Sequence, residues 1–483
     1  MIFCSVIASL PMKKLVYIPV LVAFLLALSA CSGSEVTPEE NTGQQGSVTQ
    51  QFTIVVESIG ELFSQADSRR PISSVDPEQS FDKLSLIIAR YESPAEVVYM
   101  KNLDGWSDTH NQVSVPWSQG DSRGRKAVIT LTGDECLEDD CDYLVYAIGY
   151  QSGTYGGYEA FAGVKPGDNF FRTETADVPE GGIAEEIFAG AEFFHVRNGK
   201  IYSVASSDAE AEEGVVVLRR QVAGTFGYFT RVPATVAGQP VASLQLVTTR
   251  KNRTVIFGGF RGVDDEENFR KENVINGMNP RTDYNATLAG SAVNDAFVVY
   301  RINLANWFPG NTANPALPLD QNGDGYLDAG DTNWQIDTER YPGTSISLLA
   351  GTVFDDSFLV SVAMTEADIA AGLPTFQMQL LGMDGEVLKY WDVLLRDLGG
   401  EDMLAERTVV SLPDGNNGRA VVTVEDNPET EYCYSVVRNR LYTMGTKSQG
   451  QSYGEDEPID LSQADELVLD SRHEWNAVNV IFF

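Results

Sequence analysis

The sharpest chemical motif in the chain is a run of twelve residues, Asp320-Gln321-Asn322-Gly323-Asp324-Gly325-Tyr326-Leu327-Asp328-Ala329-Gly330-Asp331. Side-chain oxygens fall at positions one, three, five, nine and twelve, from Asp320, Asn322, Asp324, Asp328 and Asp331, and the Tyr326 carbonyl is available at position seven. Calcium is a hard cation that takes about six to eight such oxygens, and a loop of this spacing presents them. Gly325 stands where the loop turns sharply, and Leu327 fills the apolar eighth position. Asp331 reaches less far than the glutamate usual at twelve, which predicts a modest affinity. One Ca2+ ion is expected here, stiffening an insertion, and an Asx-rich surface turn that binds nothing is the competing reading.

Cysteine chemistry comes next. Cys31 follows Leu28-Ser29-Ala30 at the end of an apolar run that begins after Lys13 and Lys14. A basic start, an apolar stretch and small residues before a cleavage point make a secretory signal over residues 1–30. A cysteine as the next residue looks like a bacterial lipoprotein signal, in which that thiol is acylated, so the mature chain is expected to hang from a membrane by lipid on Cys31. Cys136 and Cys141 bracket Leu137-Glu138-Asp139-Asp140, a stretch long enough to turn back on itself. A small disulfide there suits an oxidising compartment, and two separate thiols are the other reading.

Enzyme chemistry is poorly supplied. Three histidines, His110, His195 and His473, show no metal-ligand spacing. Gly450-Gln451-Ser452-Tyr453-Gly454 matches G-x-S-x-G in form, but a polar loop surrounds it where a nucleophile elbow needs a buried strand before and a helix after. No phosphate-cradling or dinucleotide-binding glycine pattern is present. The formal net charge of -35 argues against a nucleic-acid partner, since phosphate binding needs clustered Lys and Arg. A non-enzymatic protein is expected.

The elements that carry these groups read as strands. Residues 31–50 are polar, with Glu35, Glu39 and Glu40 and no apolar period, and form a tether. Beyond them, short β-branched and aromatic runs alternate with Gly, Asn, Asp and Pro clusters, as in Leu84 to Ile88, Tyr143 to Ile148, Phe297 to Ile302 and Phe376 to Leu381. One short helix is a candidate over Thr365 to Leu373, with Thr365 and Asp368 at capping spacing. The pattern predicts an all-β chain of sandwiches. FTIVVESIG with FDKLSLIIARY is echoed by VAGTFGYFTRVP with VASLQLVTT, which divides the chain into an N-terminal domain over 51–214 and a C-terminal domain over 215–483, the latter carrying the insertion near 320–331.

The lipoprotein signal, FTIVVES, the arginine-bearing loop with Ser68-Arg69-Arg70, KLSLII, VVVLRRQVAGTFGYFTRVP, FQMQLLGMDGEVLKY and YSVVRNRLYTM together resemble the fimbrillins of Bacteroidales, and the late segments resemble their anchor-type members. The twelve-residue loop is itself similar to the EF-hand or dockerin type, without the second copy of a dockerin. Membership would imply two tandem transthyretin-like, Greek-key β-sandwich domains in a structural subunit of surface fimbriae, on the cell outer membrane and supporting adhesion. Subunits of that family assemble by donor-strand exchange, in which a neighbour's extended segment completes a sheet that lacks a strand. Phe52, Ile54 and Val56 alternate as the inward residues of such a strand. Arg69 and Arg70 then read either as an arginine-specific processing point, at the Arg69-Arg70 bond because Pro71 protects the next one, or as solvated loop charge. Partners would be other fimbrial subunits and the membrane. A surface glycan-binding lipoprotein using Trp307 or Trp334 is the alternative.

Overall fold

The computed structural model describes residues 49–58, 81–92, 94–106, 113–119, 122–170, 174–178, 184–203, 214–248, 254–257, 297–341, 348–360, 376–397, 406–411, 421–426, 432–433, 436, 438, 441–447 and 456–472. The signal, Cys31, most of the tether, Arg69, Arg70, His110, His473, the helix candidate at 365–373 and the 450–454 motif lie outside the described residues. Contacts gather Ser47–Phe483 into one compact unit. Among the described residues, no helix is long and apolar enough to cross a membrane.

As expected, the chain is nearly all β and builds two curled sheets. The first takes β1 (Thr49–Ser58), β2 (Lys83–Arg90), β3 (Val97–Asp104), β4 (Val115–Gln119), β5 (Ser122–Thr132), β6 (Asp142–Tyr150), β8 (Phe188–Arg197), β9 (Lys200–Ser203) and β10 (Val215–Arg220). Their order is β3-β2-β6-β8-β10-β1-β5-β4, with β9 beside β8. The second takes β11 (Ala223–Thr230), β15 (Ser243–Thr248), β17 (Val298–Asn303), β19 (Thr352–Leu359), β20 (Phe376–Leu381), β21 (Val387–Asp397), β24 (Tyr432–Cys433), β25 (Leu441–Met444), β26 (Ile459–Asp460) and β27 (Leu467–Arg472). Its order is β17-β15-β20-β21-β27-β25-β11-β19, with β24 beside β21 and β26 beside β11. Small ribbons complete the inventory: β7 (Thr175–Asp177) with β16 (Thr254–Ile256), β12 (Val232–Pro233) with β18 (Tyr326–Leu327), β13 (Thr235–Val236) with β14 (Gln239–Pro240), and β22 (Glu406–Ser411) with β23 (Val421–Asp426). Among the described residues the one α-helix, α1 (Leu304–Trp307), is capped by Asn303, whose Oδ1 accepts the Ala305 N–H at 3.2 Å.

The internal echo is visible in the topology. β1 lies antiparallel to β5 and parallel to β10, and β11 lies antiparallel to β19 and parallel to β25. Likewise β2 sits between β3 and β6 as β15 sits between β17 and β20. The second sheet inserts one more strand, β27, parallel to β21, where β8 meets β10 directly. The expected boundary at 214/215 moves: β10 closes the first sheet against β1 and β8, so the chain changes sheet at Gln221-Val222. Sequence alone set the boundary at 214/215 because the acidic stretch SDAEAEEG at 207–214 reads as a linker.

Alternation puts β2 and β6 at the centre of two cores. Leu84, Leu86 and Ile88 with Tyr143, Val145 and Ala147 enter one cluster with Phe52, Ile54 and Val56. Ile87 and Ala89 with Leu144, Tyr146 and Ile148 face the other way and join a cluster that runs on into the second sheet through Tyr155, Phe161, Phe170, Ala176, Val255 and Phe257. Both faces of these strands are therefore buried, which explains why KLSLIIAR and DYLVYAIGY read as continuous apolar runs. The link between the sheets is made of backbone pairing as well as side chains. β7 pairs antiparallel with β16, the Phe257 N–H donates to the Glu174 carbonyl at 3.1 Å, and the Tyr158 and Phe257 rings lie 5.4 Å apart.

A shared core joined by a ribbon predicts cooperative unfolding of both sheets. Val255, fully buried opposite Ala176, is the position to break: Val255→Asp buries an unpartnered charge and should cost about 3 kcal/mol or more. Scanning calorimetry is expected to show one transition for the natural chain and two for the variant; a single unmoved transition in the variant would contradict the shared core.

Candidate functional site

The site that geometry singles out is the place of β1. It pairs with β5 along its whole length, from Thr49 opposite Thr132 to Ser58 opposite Arg123, and with β10 from Thr53 opposite Val215 to Val56 opposite Leu218. Phe52, Ile54 and Val56 are 2%, 0% and 0% exposed, as the two-residue period expects of an inward stripe. Each such side chain contributes about 1.5–3 kcal/mol of burial. The Phe52 ring meets Phe194 edge-on at 5.2 Å. Gly214 lets β10 come close: its carbonyl accepts the Thr53 N–H at 2.8 Å, and a Cβ there would stand 2.8 Å from Ile201 Cγ2 and 3.2 Å from Phe52 Cβ. β10 and Gly214 were not foreseen as partners of β1, because about 160 residues separate them and a parallel neighbour leaves no hairpin signal in sequence.

The same sheet carries a perturbed carboxylate. Glu192 on β8 is half-buried, its Oε1 accepting the Phe193 N–H at 3.1 Å. Burial pushes its carboxyl up to about 7, and the Phe193 amide and the Arg219 charge offset part of that rise. His195, three residues along, meets Asp142 Oδ1 through Nδ1 at 2.7 Å, a cross-strand pair between β8 and β6.

The twelve-residue loop closes on its own amides. Asp320 accepts Gly323 N–H at 2.7 Å and Gly325 N–H at 2.8 Å; Asn322 and Asp324 accept from Asp324 and Tyr326 at 2.8 and 2.9 Å. Asp331, buried, accepts from Gln321 and Asn322 through Oδ1 and from Asp328 through Oδ2. Gly323 and Gly325 take positive φ of 73° and 95°, and Leu327 is fully buried where β18 pairs with β12. Gly351 abuts the loop so closely that a Cβ there would stand 2.0 Å from the Ala329 nitrogen. Among the described residues, no three His, Cys, Asp or Glu side chains are grouped to hold a metal. Each carboxylate keeps lone pairs beyond the amides it caps.

Cys136 and Cys141 are thiols in this structure and are not joined to each other. The Cys136 Sγ donates to the Leu131 carbonyl and the Arg90 guanidinium donates to Cys141 Sγ, each at 3.6 Å. Neither aromatic of the glycan reading is exposed. Trp307 is 1% exposed, packed 6.3 Å from the Tyr341 ring, and Trp334 is half-buried with its Nε1 donating to the Thr352 carbonyl at 2.7 Å. Both serve to pack the insertion, the commoner fate of an aromatic in a loop-rich segment.

No protein-family model matches the chain, and no curated protein does. Among solved structures it is similar to a candidate cell adhesion protein from Bacteroides eggerthii, at 11% identity and TM-score 0.33, over 90% of this chain and 97% of that one. It is similar to another from Parabacteroides distasonis at 9% identity and TM-score 0.32, over 88% and 99%. A third is the fimbrial anchor protein Mfa2 from Porphyromonas gingivalis, at 9% identity and TM-score 0.26, over 80% and 100%. At these scores no residue role passes from those proteins to this chain.

Glu192 gives the sheet a pH dependence with a definite sign. A carboxyl whose folded pKa stands above its ordinary value binds more protons folded than unfolded, so its share of stability is present below pH 4.5 and is lost as pH rises to about 7. Glu192→Gln should flatten that decline, read as the urea midpoint between pH 4 and 8; an unchanged profile would exclude Glu192 as its source.

Proposed function

We propose that the protein is a non-enzymatic, lipid-anchored structural subunit of surface fimbriae, as anchor or as shaft or tip component, which joins its neighbours by donor-strand exchange and supports adhesion. The observation that carries this reading is the place of β1. It is an interior strand, hydrogen-bonded on both sides, and it comes first among the described strands. Its counterpart β11 is held from both ends, by β10 before it and β12 after it. Taking β1 out would leave β5 and β10 with unpaired backbone and open the apolar positions of Phe52, Ile54 and Val56, which is the form of slot a foreign strand fills.

Acylated Cys31 would tie the subunit to the outer membrane, and cleavage at the Arg69-Arg70 bond would release β1 from the rest of the fold. Mass spectrometry of the mature amino terminus separates the two roles: acylated Cys31 supports an anchor, and a start at Arg70 supports a shaft or tip subunit. The exchange itself is tested by a lock. Thr53 and Val128 stand directly opposite on β1 and β5, so Thr53→Cys with Val128→Cys pins β1 when oxidised. Laddering on unboiled gels is expected for the reduced protein and not for the oxidised one; equal laddering of both would contradict strand exchange at this slot.

The twelve-residue loop is proposed as one calcium site of modest affinity, supported by its oxygen spacing, the turn at Gly325 and the buried Leu327. Calcium at millimolar concentration should raise the melting temperature of the natural chain and not of Asp324→Ala; no shift in either would leave the loop as a self-capped turn.

A further inference from the structure

β1 carries a polar side chain in phase with its apolar stripe at the head of the strand. Gln50 precedes Phe52, Ile54 and Val56 at the same two-residue period and is 3% exposed. Both ends of its amide meet the main chain of a single residue: Nε2 donates to the Leu137 carbonyl at 2.8 Å, and the Leu137 N–H donates to Oε1 at 2.7 Å. Leu137 lies between β5 and β6, just beyond the 3-10 turn Gly133–Glu135, and its side chain joins the same cluster as Phe52. The peptide groups of Leu137 thus present one buried donor and one buried acceptor to whatever lies at the head of β1.

We propose that the Leu137 main chain reads the register and identity of the strand in this slot, which must carry an amide side chain two residues ahead of its aromatic. For β1 itself this fixes the alignment with β5. A slip of one residue would turn the apolar stripe to the outer face, and a slip of two would set Val48 or Phe52 against Leu137, leaving its N–H and C=O without the paired donor and acceptor of an amide. For a strand supplied by a second polypeptide, an extension that rests on the strand-exchange reading, the slot selects the pattern amide-x-aromatic-x-aliphatic-x-aliphatic, antiparallel to β5 and parallel to β10. The aromatic position is set by Phe194 and Gly214, and the aliphatic positions are those of the fully buried Ile54 and Val56.

Two measurements test this. Hydrogen exchange by mass spectrometry on the whole chain should show the amides of residues 51–56 exchanging roughly tenfold faster or more in Gln50→Leu, which strips two buried hydrogen bonds, while β2 and β6 are unchanged. Labelled peptides spanning residues 49–58, one natural and one carrying Gln50→Leu, are then added to the natural protein, so this arm holds even if the variant chain does not fold. The natural peptide should be taken up at least about tenfold more. Unchanged exchange, or equal uptake of both peptides, overturns the proposal. Faster exchange in the variant with uptake of neither peptide upholds the register lock on β1 and overturns strand exchange.

Discussion

The first sheet depends on a single strand meeting two partners that do not meet each other. β5 pairs with β4 on its far side and β10 with β8, so β1 is what makes the two halves of the sheet continuous. Its inward stripe also fills the cluster that those halves enclose, where Phe52 meets Phe194 and lies against Gly214. Backbone pairing and apolar burial therefore fall together on ten residues. Because one segment supplies both, losing it removes both at once, a large share of a marginal stability.

The second sheet repeats the arrangement and fastens the corresponding strand more fully. β11 occupies the place of β1, but β26 pairs parallel with its C-terminal end, and Tyr228 within it donates to Asp456, which holds the buried Lys447 at 3.0 Å. Burial with the nearby Asp456 charge pushes the Tyr228 hydroxyl up to about 12, keeping it a donor across the usual pH range. The ribbon of β7 and β16 and the continuous core then tie this closed sheet to the first. The two sheets thus share one strand plan, with β11 fastened throughout in the second and β1 completing the first.

Much of this was legible in the chain because it is written in short periods. FTIVV shows its inward stripe by alternation, the two-fold echo shows in the apolar runs, and the turn at 320–331 shows in its Asx and Gly spacing, with Leu327 buried as its position implies. What was not legible is long-range. The parallel partnership of β1 with β10, the change of sheet at Gln221-Val222 and the burial of Trp307 arise from contacts between distant segments, on which local periodicity is silent. Gln50 stands between these cases. An amide in phase with an apolar stripe is a visible signal, but its meaning appears only with Leu137 opposite.

The most direct measurement is the near-ultraviolet circular dichroism of a chain beginning at residue 59, with and without a peptide spanning residues 49–58 supplied in trans. If β1 is the removable strand that completes the sheet, the shortened chain loses much of its fixed aromatic signal and regains it at one equivalent of peptide. Full signal without the peptide, or no recovery with it, would contradict the account.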